Sequence, residues 1–166
     1  MKKILLILSI ILLSFVGITT VVADETFVLK AGVSIDEVPK GIFGSWGVKA
    51  YIVDSSNYKL FRPKSTDLWN ISRNGDVLNL SNPFTGANAD VSINAAQGNV
   101  VSFTREVEYD NKKLIDTVTV RLENNTFSGI NELKLDQYSA VDKTLMRSDT
   151  ARYEIKGEKI SGESVF

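Results

Sequence analysis

Between residues 45 and 157 the chain alternates apolar and polar positions in short runs that turn residues separate. In the run 87–93, for example, Ala89, Val91 and Ile93 alternate with polar residues, which is the period of a strand with one buried face. The pattern predicts eight strands, at residues 45–53, 66–73, 76–81, 87–95, 99–109, 112–123, 126–139 and 145–157.

Tight turns between these runs predict how the strands pair, because a hairpin turn fixes the register of its two strands. Asn74-Gly75, for instance, suits a two-residue type I′ turn. The sequence predicts turns at 74–75, 96–98, 110–111, 124–125 and 141–143. These turns place apolar residues opposite one another on one face: Ile71 and Leu78, Ile93 and Val101, Val107 and Leu114, Leu122 and Phe127, and Leu133 and Ala151.

The other face of the same strands carries charged side chains that we expect in solvent. Strands joined in order by hairpins form a meander, and eight of them close around an interior that holds side chains or one small ligand. The predicted fold class is therefore all-β, an eight-stranded antiparallel up-and-down barrel with the last strand beside the first. Residues 45–166 are expected to form the barrel domain, and residues 24–44 to close one end of it.

The composition removes several classes of chemistry. The chain has no Cys and no His, which excludes disulfides, thiolate or imidazole metal sites, cysteine nucleophiles and triads that use His. We therefore expect no metal and no cofactor. Once Lys2 and Lys3 are set aside as part of an export signal, 17 of the 19 basic side chains remain against 20 acidic ones. This balance gives no reason to expect nucleic-acid binding.

The N-terminus has the pattern of an export signal. Lys2 and Lys3 precede an uncharged stretch over residues 4–23, and Ala23 before Asp24 provides a plausible cleavage site. Residues 1–23 are therefore predicted to be a signal peptide, with an uncleaved membrane anchor as the alternative. Since no lipid-attachment cysteine follows, we expect a periplasmic or secreted protein without integral membrane contact after cleavage.

At Gly44-Ser45-Trp46 the chain resembles the lipocalin-like barrels, or calycins, in which a Gly-x-Trp motif opens the first strand. The resemblance implies that Gly44 and Trp46 plug the closed end, under a basic residue such as Lys156 or Lys159 from the end of the last strand. A long loop between the first two strands, here 54–65, is also a trait of that family. The resemblance implies a carrier of a small, mostly apolar molecule. The biotin-binding avidin-like barrels share the motif, which does not separate the two families.

One charged pair interrupts the apolar face. The turn at 110–111 places Arg105 opposite Asp116 inside the barrel, where an unpaired charge would be costly. We expect Arg105 to meet the carboxylate of an amphipathic ligand above an apolar floor. The candidate ligand-binding residues are Trp69, Phe103, Arg105, Asp116, Val118, Leu133, Asp149 and Tyr153, with Phe127 deep in the floor. The candidate lid residues, in the loops at the open end, are Tyr58, Leu60, Phe61 and Phe84.

Three other interpretations stay open from the sequence. Side chains could fill the barrel completely, and the Arg105–Asp116 pair would then be structural. A small outer-membrane barrel would turn the apolar face to lipid, with these charges facing hydrocarbon. An enzyme could use Asp116 and Asp149 as paired carboxylates, but a nearby arginine is expected to hold each of them ionised. The sequence therefore favours a non-enzymatic carrier of a small amphipathic molecule.

Overall fold

The computed structural model describes residues 33–162. The predicted signal peptide 1–23 lies outside the described residues, as do residues 24–32 and 163–166. Two short 3₁₀ helices, Ile35–Glu37 and Lys40–Ile42, come first. Eight strands follow: β1 (Gly44–Ser55), β2 (Lys64–Asn74), β3 (Val77–Asn82), β4 (Ala87–Gln97), β5 (Val100–Tyr109), β6 (Lys112–Glu123), β7 (Thr126–Tyr138) and β8 (Leu145–Ser161).

The strands close into a barrel in sequence order, each antiparallel to the next, and β8 pairs with β1. This confirms the predicted all-β, eight-stranded antiparallel up-and-down barrel. Inward-facing residues such as Val118 and Val120 are fully buried, while their outward-facing neighbours Thr119 and Arg121 are not. Four strands are longer than predicted: β1 continues to Ser55, β2 starts at Lys64, β4 continues to Gln97 and β8 continues to Ser161. The loop between β1 and β2 is shortened accordingly.

The two turns built from Asp and Asn are confirmed. Asp110, Asn111, Asn124 and Asn125 all have positive φ, from 44° to 63°, as a type I′ turn requires at both central positions. The pairs that these turns predict are also confirmed: Arg105 opposite Asp116, Val107 opposite Leu114, and Leu122 opposite Phe127. The ladder from β5 to β7 therefore has the register expected from the sequence.

The predicted Asn74-Gly75 turn is wrong by one residue. The two central residues are Gly75 and Asp76, because Asn74 pairs with Val77 across the turn. Only Gly75 has positive φ, at 61°, which is the pattern of a type II′ turn with glycine first. Each pair consequently moves by two positions, so that Ile71 lies opposite Leu80 instead of Leu78. A shift of two keeps every side chain on its predicted face.

The turn between β4 and β5 has two residues instead of the predicted three. It consists of Gly98 and Asn99, because Gln97 pairs with Val100. Such a turn alone would put Ile93 on the wrong face, but a β-bulge between Ile93 and Ala95 takes up one residue. Ile93 thus remains on the inward face, opposite Phe103 instead of the predicted Val101.

A second β-bulge, in the β7–β8 hairpin, compensates for a connecting loop that differs from the predicted turn. The predicted three-residue turn 141–143 is a longer loop, closed by the hydrogen bond of 2.8 Å from Ser139 N to Thr144 O. The register shifts by one residue between Gln137 and Tyr138. Because the bulge takes up the extra residue, Leu133 still lies opposite Ala151, as predicted.

The start of β1 requires the glycine of its Gly-x-Trp sequence. Gly44 has a φ of 126°, and a Cβ at this position would lie 2.1 Å from Ser161 O at the end of β8. No other residue fits both the conformation and the close approach. The β1–β8 seam can therefore close tightly at this end of the barrel.

The end at which β1 begins is packed solid, and we call this part of the lumen the closed half. Trp46 is fully buried, and its ring lies 5.0 Å from that of Phe127, centroid to centroid. The Phe127 ring in turn covers Gly157, where a Cβ would lie 2.3 Å from it. The closed half consists of Ile35, Val38, Ile42, Trp46, Ile71, Leu78, Val101, Phe103, Val118, Val120, Leu122 and Phe127, all 4% exposed or less.

Candidate functional site

A cavity of about 360 Å³ lies inside the other end of the barrel, which we call the open half. All eight strands contribute to its wall, so that the cavity is a property of the closed sheet and not of one loop. Its lining residues are Val48, Ala50, Ser65, Asp67, Trp69, Leu80, Ser81, Asn82, Thr85, Ala87, Arg105, Leu114, Asp116, Asn131, Leu133 and Ile155.

Trp69 separates the cavity from the closed half. It pairs with Trp46 across β1 and β2, and its ring stacks on Phe127 at 5.9 Å between centroids. The apolar wall above it is formed by side chains from β1, β3, β7 and β8, including Val48, Leu80 and Leu133. The lower part of the cavity therefore suits the apolar portion of a ligand.

An ion pair forms one upper wall of the cavity. Nη2 of Arg105 lies 2.8 Å from Oδ2 of Asp116, and Asn131 donates a hydrogen bond to the other carboxylate oxygen. The two charged side chains are 26% and 13% exposed, respectively. Nε of Arg105 is buried and has no hydrogen-bond partner. The predicted cross-strand pair is thus present, and one donor of the arginine remains available.

Burial raises the pKa of Asp116 above its usual value, and the nearby Arg105 and the Asn131 hydrogen bond only partly oppose this effect. The pKa of this carboxyl is thus shifted in the direction opposite to the one that the arginine alone would give. The reason is that the low-dielectric wall penalises the charged form more than the single ion pair favours it.

A second carboxylate, which the sequence analysis missed, lies across the cavity. Asp67 on β2 pairs with the buried Val48 and shares the inward face with Trp69. Its Oδ1 accepts hydrogen bonds from Leu68 N, at 2.9 Å, and from the Asn82 amide. The available signal was the spacing of two from Trp69, which puts Asp67 in the apolar phase of the strand.

The predicted ligand-binding residues divide into two groups. Four of them line the cavity: Trp69, Arg105, Asp116 and Leu133. Phe103 and Val118 instead fill the closed half, as does Phe127, the residue assigned to the deep floor.

Tyr153 is 6% exposed, and its hydroxyl donates to Arg62 O at 3.0 Å. Asp149 is buried too, and accepts a hydrogen bond of 2.8 Å from Arg147. None of these last residues reaches the cavity wall.

The predicted lid residues also divide. Phe61 packs into the hydrophobic core and is 9% exposed. Tyr58, Leu60 and Phe84 are 61%, 43% and 85% exposed at the open end, and none of them lines the cavity. Thr85, beside Phe84, does reach the wall. The structure therefore shows an apolar rim around the mouth rather than side chains that cover it.

Gly44 and Trp46, the predicted closed-end residues, both lie at the end of the barrel where β1 begins. Nε1 of Trp46 donates a hydrogen bond of 2.7 Å to Ile42 O in the second 3₁₀ helix. Lys159, near the end of β8, places Nζ 4.8 Å from the centroid of the Trp46 ring and donates to Gly41 O. Lys156 instead points outward, because it pairs with the outward-facing Lys49. Of the two basic residues considered, Lys159 is the one that lies over the tryptophan.

A second hollow, of about 440 Å³, lies between the polar rows of β6, β7 and β8. Its lining includes the exposed charged side chains Glu132 and Arg152, which face outward from the barrel. Its apolar lining is limited to Ile115, Leu133 and Ala151, and it lacks an aromatic ring such as that of Trp69. The lumen cavity is therefore the better candidate for a small-molecule site.

No family model matches the chain, and no curated protein or solved structure is significantly similar to it. In residues 33–162, no helix has the length and apolar character needed to cross a membrane. The same residues contain no group of three acidic, His or Cys side chains that could hold a metal ion.

Proposed function

We propose that the protein is an extracytoplasmic carrier that binds a small amphipathic or hydrophobic molecule in its lumen and performs no chemistry on it. The observation that carries this proposal is the cavity of about 360 Å³, with an apolar floor at Trp69 and a charged upper wall. Ligand pockets typically measure roughly 300–1,000 Å³ and combine apolar walls with a few polar groups. The cavity lies at the small end of this range.

The packing of the closed half limits the size of the ligand. Because Phe103, Val118 and Phe127 fill the space below Trp69, a long alkyl chain cannot extend along the whole barrel. Each buried CH₂ group contributes about 0.8 kcal/mol before the entropic costs of binding. A compact ligand or a short chain therefore fits the cavity best, and modest affinity is expected.

Several features support a binding role over the alternatives. The Gly44 and Trp46 arrangement with Lys159 resembles the closed end of calycins, which supports a lipocalin-like carrier. An outer-membrane barrel needs an apolar outward face, whereas Glu154 and Lys156 face outward and are exposed. In the cavity, both oxygens of Asp116 are engaged by protein groups. This engagement supports a structural carboxylate over a general acid. Export rests on the signal at residues 1–23.

The test is to fill the cavity without touching the closed half. Ala50 lines the cavity and is half-buried, so that Ala50→Phe would occupy the space of a ligand. We expect the wild-type protein to bind the neutral fluorophore N-phenylnaphthylamine and Ala50→Phe to lose at least about tenfold in affinity. Thr66→Phe, at an exposed outward position on β2, is the matched control and should bind normally.

Native mass spectrometry of the protein purified from its own host provides an independent measurement. A co-purifying small molecule that Ala50→Phe releases would support the proposal. If the wild-type protein carries no molecule and binds no amphiphile, the open half is a structural cavity and the carrier function is wrong.

A further inference from the structure

The cavity wall carries three ionisable side chains, and their charges do not sum to zero. Arg105 and Asp116 form an ion pair with each other across β5 and β6. Asp67 has hydrogen bonds from a backbone N–H and from Asn82, both neutral donors. Among residues 33–162 no Lys or Arg forms an ion pair with Asp67. With both carboxylates ionised, the cavity therefore has one negative charge, at the solvent-exposed Asp67, without a counter-charge from residues 33–162.

This uncompensated charge faces the existing ion pair. Asp67 is on β2, whereas Arg105 and Asp116 are on β5 and β6, on the facing side of the eight-stranded barrel. Trp69 lies two residues from Asp67 on the same inward face, at the floor of the cavity. A ligand that is anchored at Asp67 can thus place its apolar portion directly on the indole.

We propose that the ligand carries a single positive charge, an ammonium or a similar cation, and that Asp67 binds it. This inference rests on the proposed function of the lumen and specifies the class of ligand. The partner of opposite charge is supplied by the ligand, because residues 33–162 supply none.

The competing assignment is the carboxylate that the sequence analysis places at Arg105. The unpaired Nε of Arg105 offers a hydrogen bond to such a group. A carboxylate there would, however, share the guanidinium with Asp116 and would also face Asp67 across the cavity. Repulsion from two carboxylates outweighs attraction to one arginine that is already paired. A neutral oxygen of the ligand, such as a hydroxyl, can satisfy Nε without this repulsion.

The experiment uses three probes with the same eight-carbon chain, octylamine, octanol and octanoate, which compete with N-phenylnaphthylamine near neutral pH. We expect octylamine to bind about five- to tenfold more tightly than octanol, and octanoate to bind most weakly. In Asp67→Asn, octylamine should fall to the affinity of octanol, while octanol itself should be unchanged. This pattern isolates the charge from the chain.

Asp76→Asn is the matched control, since it removes the same charge from the turn at the opposite end of the barrel, where the side chain is 98% exposed. It should leave the preference for octylamine intact. Tightest binding of octanoate, or equal binding of all three probes, would overturn the cation assignment and leave the carrier function standing. Binding of none of the probes and none of N-phenylnaphthylamine would instead overturn the carrier function.

Discussion

The same strands form the closed half and the open half of the barrel. Along one pair of strands, the boundary between the two halves lies between two successive inward-facing residue pairs. On β5 and β6, Phe103 faces Val118, and both are at most 2% exposed. Two residues further along, Arg105 faces Asp116 at the cavity wall. Of these two adjacent inward pairs, the first is entirely apolar and the second consists of two charged side chains. Apolar packing and charged side chains are therefore separated along the barrel axis.

The same change occurs on the first two strands. Trp46 pairs with Trp69, and the next inward pair is Val48 with Asp67. Trp46 is fully buried and hydrogen-bonded, whereas Trp69 borders the cavity. The comparison indicates that the closed half stabilises the barrel and so permits polar, costly groups in the open half. Such a division is expected where a binding site is held by a rigid scaffold.

The largest effect should come from the paired tryptophans. Trp46→Ala removes a fully buried ring and its hydrogen bond, and should lower the free energy of unfolding by about 3–5 kcal/mol. Trp69→Ala opens a wall that already borders a cavity, and should cost about 1.5–3 kcal/mol. Urea unfolding followed by circular dichroism measures both. Equal losses would contradict the division into two halves.

Strand pairings could be predicted correctly where the turn residues allow only one turn type. At 110–111 and 124–125, two consecutive Asp or Asn residues favour only one turn, and the pairings of β5, β6 and β7 were predicted correctly. Asn74-Gly75-Asp76 allows two turns, type I′ at its first two residues and type II′ at its last two, and local propensity does not choose between them. The local sequence around Ile93 and Gln137 does not indicate a bulge, although the structure has one at each place.

The candidate site was predicted in part for a related reason. Alternation identifies which residues point inward, but it does not tell how deep each one lies along the barrel axis. Phe103 and Arg105 share a face, and only the packing puts one in the core and the other at the cavity. Asp67 was missed although its spacing from Trp69 places it inward. Asp67 is solvent-exposed, as acidic residues near strand ends usually are, and the sequence does not show that it also lines the cavity.

The second prediction concerns the ion pair of the open half. Asp116→Ala leaves Arg105 without its partner, but the cavity lets water reach the guanidinium, so that the loss should be about 1–3 kcal/mol. Arg105→Met/Asp116→Leu should lose less than the sum of its two single variants. A double-mutant cycle in urea measures this coupling.

The exposed pair Arg73–Asp36, at 2.5 Å outside the barrel, is the control for that cycle, since its side chains are 42% and 73% exposed. Its coupling should be below about 1 kcal/mol, as is usual for surface ion pairs. Coupling of the lumen pair that is no larger than that of Arg73–Asp36 would show that the open half is as solvated as the outer surface.

The smallest effect is a difference in pH dependence between the lumen and the outer face. Burial raises the pKa of Asp116 above 3.8, whereas hydrogen bonds from Ser148 and Lys134 lower the pKa of Asp136 on the outer face of β7. A raised pKa means that the folded protein holds the proton more tightly than the unfolded chain does. The stability from Asp116 is therefore present below about pH 3.8 and is lost as the pH rises through the raised folded-state value.

For Asp136 the sign is opposite, because its contribution is present above about pH 3.8 and is lost as the pH falls through its lowered value. Unfolding free energies of wild type, Asp116→Asn and Asp136→Asn, measured from about pH 3 to about pH 7, test both signs. The advantage of wild type over Asp116→Asn should decrease with rising pH. Its advantage over Asp136→Asn should increase. If both differences changed in the same direction, the carboxyl in the lumen would be as well stabilised by hydrogen bonds as the one on the outer face, and burial would not dominate its pKa.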